Sequence, residues 1–333
     1  MAETLLPNTA SRVRPVRVGL IGYGYWGSKV HAALEAHPAF TVVRLHVRHP
    51  EKLTVVQKAA LSAVKVSASV KALWGDSSIE AVAIVSPIDT HYLLCKGALE
   101  AGKHVLVEKP LCLSSHEAEE LASIARSRKL TLQTDYTWTF SPGLLQAQEL
   151  QTHGWIGQLH SINVRFRQTG RFRQHGVGPL LLVHMLSIVQ MFTSLDKLDW
   201  KLVSSTTTGD LVTTALATGD HSNGLHVCLD ASLNDPVKTR IVSLVGSAGA
   251  LRFEPLANGA TLSAERYSRP GESSDDDTPG STHSFSSDET DNLSHAINTF
   301  AEVLAGKHSD NLKGSMQITG LLESLFSTQG TRT

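Results

Sequence analysis

Three glycines near the N-terminus have the spacing that binds a dinucleotide pyrophosphate. Gly22, Gly24 and Gly27 follow directly after the apolar run 16–21, which predicts a buried strand, and a helical pattern begins at Lys29. In this motif the first glycine permits a tight turn, the second lets the backbone approach the phosphates, and the third brings the helix close to the strand. The helix N-terminus then offers unpaired N–H groups to the phosphates. We therefore predict a dinucleotide site here, with a purely structural glycine turn as the alternative.

A lysine at the end of another predicted strand is the first candidate for proton transfer. Lys109 follows the apolar run 104–107, and ligands of open α/β sheets bind beyond the carboxyl ends of the strands. Hydride transfer to a carbonyl needs a group that stabilises the developing negative charge or exchanges a proton, and a lysine placed there can do either. The alternative is a surface lysine in the turn that ends the strand before Pro110.

The end of the second predicted strand, 40–47, bears on the choice of cofactor. NAD-binding proteins of this type carry an acidic residue about twenty positions beyond the last glycine, where it binds the ribose 2′-hydroxyl. In this chain that position is Val47, and Arg48 follows it. A guanidinium group at Arg48 could pair with a 2′-phosphate. The sequence thus predicts NADP(H) as the preferred cofactor, with NAD(H) as the second option; an exposed arginine in a turn is the alternative for Arg48.

Strands and helices alternate in the first part of the chain. This pattern with short loops indicates a doubly wound parallel sheet with right-handed crossovers, the Rossmann arrangement, over residues 16–134. Residues 1–15 are predicted to be a flexible leader. The predicted strands are 16–21, 40–47, 64–66, 81–85, 104–107 and 130–134, and helices are predicted to begin at Lys29 and Ser114 and to span 51–62 and 92–101.

The remainder, 135–333, is predicted to be a second domain that binds substrate and supports oligomerisation. Apolar and polar residues alternate in long stretches, which indicates an α/β domain with an open, mainly antiparallel sheet. A helix is predicted at 180–192, and the polar segment 270–291 is predicted to be a flexible loop. Two terminal helices, 293–304 and 317–326, are expected to pack back on the first domain.

Two arginines on one predicted strand are candidates for contact with the substrate. Arg165 and Arg167 alternate with apolar residues and therefore share one face of the strand. Such a basic cluster could bind a phosphate or carboxylate, which would make the substrate anionic. The alternative is a solvated face of the sheet.

Composition excludes several classes of function. The net charge of −1 gives no general attraction to nucleic acid or to an anionic membrane surface. The three cysteines Cys95, Cys112 and Cys228 and the 16 histidines lack the spacing of a metal site, so no metal is predicted. No apolar run is long enough for a signal peptide or a membrane span, and we therefore predict a cytoplasmic protein.

Several segments together resemble one known family. Residues 22–27 (GYGYWG), 86–91 (SPIDTH) and 101–111 (AGKHVLVEKPL), with a downstream His184, are similar to the glucose–fructose oxidoreductase, inositol dehydrogenase and rhizopine catabolism (Gfo/Idh/MocA) family. The resemblance implies a Rossmann domain followed by an open-sheet α/β domain, NAD(P) as the cofactor, and hydride transfer to or from sugars, cyclitols or related carbonyl compounds. The predicted cofactor-binding residues are Gly22, Tyr23, Gly24, Tyr25, Trp26, Gly27, Arg48, Ser86, Pro87, His91, Glu108 and Lys109.

The resemblance also implies an acid–base pair that this chain lacks. Members of the family usually have an aspartate four residues before the histidine that corresponds to His184, and here that position is Leu180. A leucine can neither orient an imidazole nor accept a proton. Three alternatives follow: Lys109 and His184 suffice as catalytic residues, Tyr136 or another polar group substitutes, or the protein binds the cofactor without ordinary turnover. An apolar wall at Leu180 is expected to lower the pKa of His184.

The sequence as a whole predicts an NAD(P)-dependent oxidoreductase. Its substrate is expected to be a small sugar-like or other hydroxyl, carbonyl or imine compound. Two alternatives remain open: a cofactor-dependent glycosidase or lyase that acts through transient oxidation, and a non-catalytic NAD(P)-binding regulatory protein. A homodimer or homotetramer is expected from the resemblance, and no partnership with nucleic acid or membrane.

Overall fold

Two β-sheets organise the structure. Among the described residues, the core of the first sheet consists of two hydrophobic clusters, and the second sheet has one. The computed structural model describes residues 14–170, 174–256, 259–267, 282–287 and 291–327. The predicted leader lies outside these residues except for Arg14 and Pro15. In the part of the chain so described, no helix has the length and apolar character needed to cross a bilayer.

The first sheet confirms the predicted Rossmann arrangement. All of its strands are parallel, in the order β3-β2-β1-β4-β5-β6. The order reverses between β1 and β4, and this switch point opens a crevice at the carboxyl ends of the strands. The strands are β1 (Val16–Ile21), β2 (Phe40–His46), β3 (Lys65–Ser67), β4 (Ala81–Ile84), β5 (His104–Glu108) and β6 (Leu132–Asp135).

The first helix differs from the prediction at its start. Helix α1 spans Tyr25–Ala36, so it begins within the glycine motif and not at Lys29. Because Gly24 is the residue before the first turn, the unpaired N–H groups of the helix lie at the glycine turn itself. The other helices around this sheet are α2 (Val55–Ala60), α3 (Lys71–Trp74), α4 (His91–Glu100) and α5 (Ser115–Arg128).

The predicted helix over 51–62 is also wrong, because a cap interrupts it. Pro50–Lys52 forms one 3₁₀ turn, and α2 starts only after Thr54. The Thr54 hydroxyl accepts from the Gln57 backbone N–H at 3.2 Å, and the Gln57 side chain accepts from the Thr54 N–H at 2.9 Å. This reciprocal capping box favours a fresh helix start over a continuous helix.

The second sheet is mixed and mainly antiparallel, as predicted. Its eight strands lie in the order β14-β13-β12-β11-β7-β10-β9-β8, and within it β7 and β10 are parallel. Ile162, Val164 and Phe166 are buried on one face of β7. The strands are β7 (Leu159–Thr169), β8 (Leu198–Thr208), β9 (Leu211–His221), β10 (His226–Ser232), β11 (Asn234–Gly246), β12 (Gly249–Leu256), β13 (Gly259–Arg266) and β14 (Thr282–Ser287).

Two segments of the second part differ from prediction. The helix predicted at 180–192 starts as a π-helix, Gly178–Leu182, and continues as α7, Val183–Gln190, which follows α6 (Pro142–Thr152) along the chain. The predicted loop 270–291 contains β14, which pairs antiparallel with β13 while Phe285 packs on the core. The rest of that prediction, 270–281 and 288–290, lies outside the described residues.

The last two helices connect the two halves of the structure. Helix α8 (Asn292–Leu304) packs on α1, and Phe300 stacks on Phe40 of β2 with ring centroids 5.7 Å apart. Helix α9 (Leu312–Ser327) contacts α5 and β6 on one side and α7 on the other. Helix α8 contributes Phe300 to the first core, and α9 contributes Leu312 to the first core and Ile318 to the second. The domain boundary at 134/135 stays a prediction.

Replacement of Phe300 by alanine tests how much α8 contributes to the first core. The side chain is 1% exposed, so Phe300→Ala should lower the free energy of unfolding by about 3–5 kcal/mol. Urea unfolding followed by circular dichroism measures the change. Val56→Ala, at a side chain that is 78% exposed, is the control and should change stability by less than about 0.5 kcal/mol. A small effect at Phe300 would show that α8 does not stabilise this core.

Candidate functional site

The glycine turn fits the pyrophosphate of a dinucleotide. Gly22 has a φ of +94°, and a Cβ there would lie 2.2 Å from the carbonyl oxygen of Val85. A Cβ at Gly27 would lie 2.5 Å from the carbonyl oxygen of Gly22, so α1 can approach β1 only with glycine there. Gly24 has no atom within 4 Å of its Cβ position and faces open space, which leaves room for phosphates at the start of α1.

A cavity of about 570 Å³ adjoins this turn, and we call it the glycine-turn cavity. The predicted cofactor-binding residues that line it are Gly22, Tyr23, Gly24, Arg48, Ser86 and Pro87. His46, His49 and Lys52 line it as well, and no carboxylate does so among the described residues. The nearby Glu51 pairs instead with His49 at 3.1 Å. The cavity therefore presents the basic surroundings that a 2′-phosphate requires.

A second cavity of about 1100 Å³, the central cavity, adjoins the first at Val85 and Ser86. It is lined by Trp26, His91, Glu108, Lys109 and His184, which were predicted to bind the cofactor or to act in catalysis. Together the two cavities form a groove from Arg48 at the end of β2 to Lys109 at the end of β5. A bound dinucleotide would have its adenosine end near Arg48 and its nicotinamide end near Lys109.

His91 joins the two loops that border this groove. Its ring nitrogens lie 2.7 Å from the carbonyl oxygen of Pro110 and 3.0 Å from that of Ser86. Burial lowers the pKa of His91, although the two carbonyl groups act in the opposite direction. The residue therefore positions the loops around Lys109, and the peptide bond between Lys109 and Pro110 is cis.

Lys109 lies among two carboxyl groups inside the protein. Burial lowers the pKa of Lys109, and Glu108 and Asp135 oppose that shift. Burial also raises the pKa values of Glu108 and Asp135, and Trp26 donates a hydrogen bond through Nε1 to Oε1 of Glu108. Thr137 donates to Asp135 at 3.3 Å. Lys109 therefore has a lowered pKa while two carboxyl groups favour its charged form, which suits it for proton exchange.

His184 lies between the central cavity and a third cavity of about 1170 Å³, the sheet-side cavity, which Leu180 also lines. Burial, Lys109 and Arg240 together lower the pKa of His184 well below that of an ordinary histidine. Its Nδ1 atom is buried and has no hydrogen-bond partner among the described residues. The expected direction of the pKa shift is confirmed, and the imidazole is neutral at physiological pH.

Three predicted substrate residues lie away from the cavities. Tyr136 is buried in the second core, where burial raises the pKa of its hydroxyl. Arg165 and Arg167 lie on the outer face of β7, opposite the core, and pair with Asp230 at 2.9 and 2.8 Å. Arg167 pairs with Asp235 as well, at 3.2 Å. These local ion pairs compensate both guanidinium charges. None of the three residues lines the three cavities described above, and their contact with a substrate stays a prediction.

Other residues at the site were missed by sequence reasoning. Trp138, two positions after Tyr136, lines both the central and the sheet-side cavities. Arg240 and Lys238 of β11 line the sheet-side cavity, as does Gln168 of β7. The sequence around these three residues has the ordinary alternation of a strand. Only the folded structure shows that they line the same cavity. Gly27 and Tyr25 complete the predicted set: the glycine packs α1 on β1, and Tyr25 lines the sheet-side cavity.

The fold and the groove define a two-sheet dinucleotide-binding protein, and comparison with known sequences shows what its first part is similar to. Residues 16–136 match the sequence model of an oxidoreductase family with an NAD-binding Rossmann fold (GFO_IDH_MocA). This match supports the resemblance to the Gfo/Idh/MocA family that was drawn from the sequence.

Curated relatives match over part of their length. The uncharacterized oxidoreductase YdgJ of Escherichia coli is 34% identical over 170 residues, which are 49% of this chain and 48% of that protein. A dTDP-3,4-didehydro-2,6-dideoxy-alpha-D-glucose 3-reductase of Streptomyces antibioticus is 34% identical over 134 residues, or 40% of each chain. The chain thus spans about half or less of the length of these relatives.

Solved structures share the fold over nearly the whole chain. KijD10, a 3-ketoreductase from Actinomadura kijaniata in complex with TDP-benzene and NADP, has a TM-score of 0.79 at 24% identity, covering 93% of this chain and 96% of that one. GenD2 from gentamicin A biosynthesis, in complex with NAD, has a TM-score of 0.78 at 19% identity and covers 98% of both chains. The similarity therefore extends over both sheets and is not limited to the dinucleotide-binding part.

The neutral state of His184 predicts a loss of stability in acid. Because its pKa is lower in the folded than in the unfolded protein, the unfolded state binds more protons below the ordinary pKa of histidine. Between about pH 7.5 and about pH 5.5, this residue should lower the free energy of unfolding by about 1 kcal/mol. Urea unfolding measures the free energy of unfolding at both pH values. In His184→Gln this free energy should fall by about 1 kcal/mol less than in the wild type.

His153→Gln, at an exposed histidine of the turn after α6, controls for the loss of an imidazole itself and should keep the wild-type pH dependence. If the free energy of unfolding falls equally in wild type and His184→Gln between the two pH values, His184 is not buried in its neutral form.

Proposed function

We propose that this protein is an NADP(H)-preferring oxidoreductase that transfers a hydride between the nicotinamide and a sugar-like carbonyl or hydroxyl compound. One observation carries the proposal. Four residues, Trp26, Lys109, Trp138 and His184, line both the central cavity of the cofactor groove and the sheet-side cavity. A substrate in the sheet-side cavity would meet the nicotinamide end of the cofactor at these four side chains.

The protein's own groups account for the proton. A bound reduced nicotinamide would supply a hydride, which is one proton with two electrons, to the carbonyl carbon. Lys109 donates a proton to the carbonyl oxygen, and its burial favours release of that proton because the neutral amine is the form stabilised by low polarity. Glu108 and Asp135 oppose the fall in the pKa of Lys109 and so favour its protonated form before transfer. His184 offers a neutral hydrogen-bond group to the substrate, and Leu180 makes the adjoining wall apolar.

The comparisons support a sugar-like substrate. KijD10 is a 3-ketoreductase, and the Streptomyces antibioticus relative is a reductase of a keto-sugar nucleotide. The sheet-side cavity, at about 1170 Å³, is large enough for a sugar with a substituent. We also propose a cytoplasmic homo-oligomer, supported by the free thiols of Cys95, Cys112 and Cys228 and by the exposed outer face of the second sheet.

Cofactor binding and turnover test the proposal in two steps. Purified protein is titrated with NADPH and with NADH, and cofactor fluorescence reports binding. The NADPH-loaded protein is then mixed with a panel of ketosugars, sugar nucleotides and imines, and oxidation of NADPH is followed. Tighter binding of NADPH and turnover with a keto compound are expected. Failure to bind either cofactor would overturn the proposal, and release of a glycosidic leaving group without net oxidation of cofactor would favour the glycosidase or lyase alternative.

Arg48→Ala tests the choice between the two cofactors. Loss of the guanidinium should weaken NADPH binding by about tenfold to a hundredfold, the effect of removing one charge-assisted hydrogen-bonding group, and leave NADH binding nearly unchanged. Fluorescence titration measures both dissociation constants. Arg126→Ala, at an exposed arginine of α5, is the control and should affect neither. Equal losses for both cofactors would contradict a role for Arg48 in selecting NADPH.

Alanine variants at Lys109 and His184 separate the two roles in the reaction. Lys109→Ala should lower kcat by about a hundredfold or more while NADPH still binds, because proton transfer typically contributes that much. His184→Ala should act mainly on KM and reduce kcat less, since a neutral imidazole next to Lys109 and Arg240 is a weak source of protons. Steady-state kinetics on the best substrate decide between them. A larger loss of kcat for His184→Ala would assign the proton to His184.

A further inference from the structure

We infer that Arg240 and Lys238 of β11 form a subsite for an anionic group of the substrate, a phosphate or carboxylate, in the sheet-side cavity. The inference rests on the proposed function in treating the ligand as the substrate. It concerns a different cavity from the one beside the glycine turn, so the subsite is separate from the place of the cofactor phosphates.

The sheet-side cavity carries positive charge without an acidic partner in its wall. Lys238 and Arg240 contribute this charge, and none of the lining residues that the structure describes is an aspartate or glutamate. The lining residues are Tyr25, Trp26, Lys109, Trp138, Gln168, Thr169, Leu180, Leu181, His184, Leu233, Pro236, Lys238 and Arg240. Within low-polarity walls such a cluster attracts an anion strongly.

Arg240 is held rigidly without an acidic partner. Its Nη1 atom donates to the carbonyl oxygens of Arg167 at 3.0 Å and of Thr239 at 2.8 Å, and Nη2 donates to Oε1 of Gln168. The guanidinium group also lies over the ring of Phe166, with Cζ 4.6 Å from its centroid. No carboxylate forms an ion pair with it in the described part of the chain, and burial lowers the pKa of Arg240.

Neighbouring arginines of the same sheet show the contrast. Arg165 and Arg167 lie on the outer face and pair with Asp230, while Arg240 beside the cavity pairs only with neutral oxygens. A partly buried cation without a counter-ion is unfavourable, and a bound oxyanion would relieve that cost. Three of the five N–H donors of Arg240 make the hydrogen bonds above, which leaves two for a ligand.

Lys238 extends the subsite toward solvent. Its side chain is exposed and lines the same cavity as Arg240, two residues further along the strand. A planar guanidinium held by hydrogen bonds beside an exposed ammonium is a combination that binds phosphate and carboxylate oxygens. A substrate with an acidic group there would place its carbonyl near Lys109 and His184, which line the same cavity.

Anion binding to the cofactor-loaded protein tests the subsite. Protein saturated with NADP+ is titrated by calorimetry with inorganic pyrophosphate in one arm and malonate in the other, which separates phosphate from carboxylate recognition. At least one anion should bind. Arg240→Gln should weaken that binding at least tenfold, and Lys238→Gln about threefold. Arg165→Gln, a matched arginine on the outer face, should leave the affinity unchanged.

The outcomes separate this inference from the proposed function. Absence of binding by both anions, or binding that neither Arg240→Gln nor Lys238→Gln weakens, would overturn the subsite even if the protein reduces neutral ketosugars. Anion binding that depends on these two residues would support the subsite even if no carbonyl compound is reduced. If Arg240→Gln fails to fold because it loses contacts to Phe166 and Gln168, the exposed Lys238→Gln and the conservative Arg240→Lys decide the question. With an active substrate, Lys238→Gln should raise KM and leave kcat within about twofold.

Discussion

Lys109 is half-buried where two cavities meet, and its burial constrains the structure around it. An isolated charge in a protein interior is costly, so Lys109 requires carboxyl groups at its side. Strands β5 and β6 supply them because their parallel register places Glu108 opposite Asp135. Burial and the Asp135 carboxylate raise the pKa of Glu108, burial raises the pKa of Asp135, and Lys109 acts in the opposite direction on both acids. The reactive lysine therefore depends on the pairing of two strands as much as on its own sequence motif.

The cofactor loop is tied to the same group of charges. Trp26, in the first turn of α1, donates to Glu108, so the helix that borders the pyrophosphate site contacts the acid beside Lys109. His91 makes a second connection between the Ser86 loop and Pro110. Movement of either loop would therefore disturb the surroundings of the lysine. This coupling gives a physical reason for a tryptophan in a glycine motif, where an aromatic side chain is otherwise not needed.

Sequence reasoning located the groove but only part of the substrate side. The glycine spacing, the apolar strands and the lysine after β5 are local signals, and the sheet places them together by a general rule of parallel topology. Alternation in β7 correctly put Arg165 and Arg167 on one face, yet it could not show that acids on β10 and β11 already pair with them. Arg240 carried no such local signal. Its role depends on the absence of a nearby acid among the described residues, which becomes visible only after distant strands are brought together.

Helix boundaries were missed for a related reason. A capping box at Thr54 and a π-helix at 178–182 are decided by a few hydrogen bonds that compete with a regular helix, and the hydrophobic pattern continues across both. In the second case the irregular turn carries Leu180 to the cavity wall beside His184. Irregular backbone of this kind is common where a helix has to present side chains to a ligand.

The position of Phe300 in the first core has a consequence for how the chain folds during synthesis. The residues that it covers, Phe40 among them, leave the ribosome some 260 positions earlier, as the numbering of the chain shows. Until α8 emerges, that apolar surface has no native partner, and a nascent Rossmann sheet would expose it to solvent or to a chaperone. Completion of the first half therefore waits for α8, which is translated after all the described strands of the second sheet, so that a ribosome that stalls within that sheet would release a chain with an incomplete cofactor-binding half.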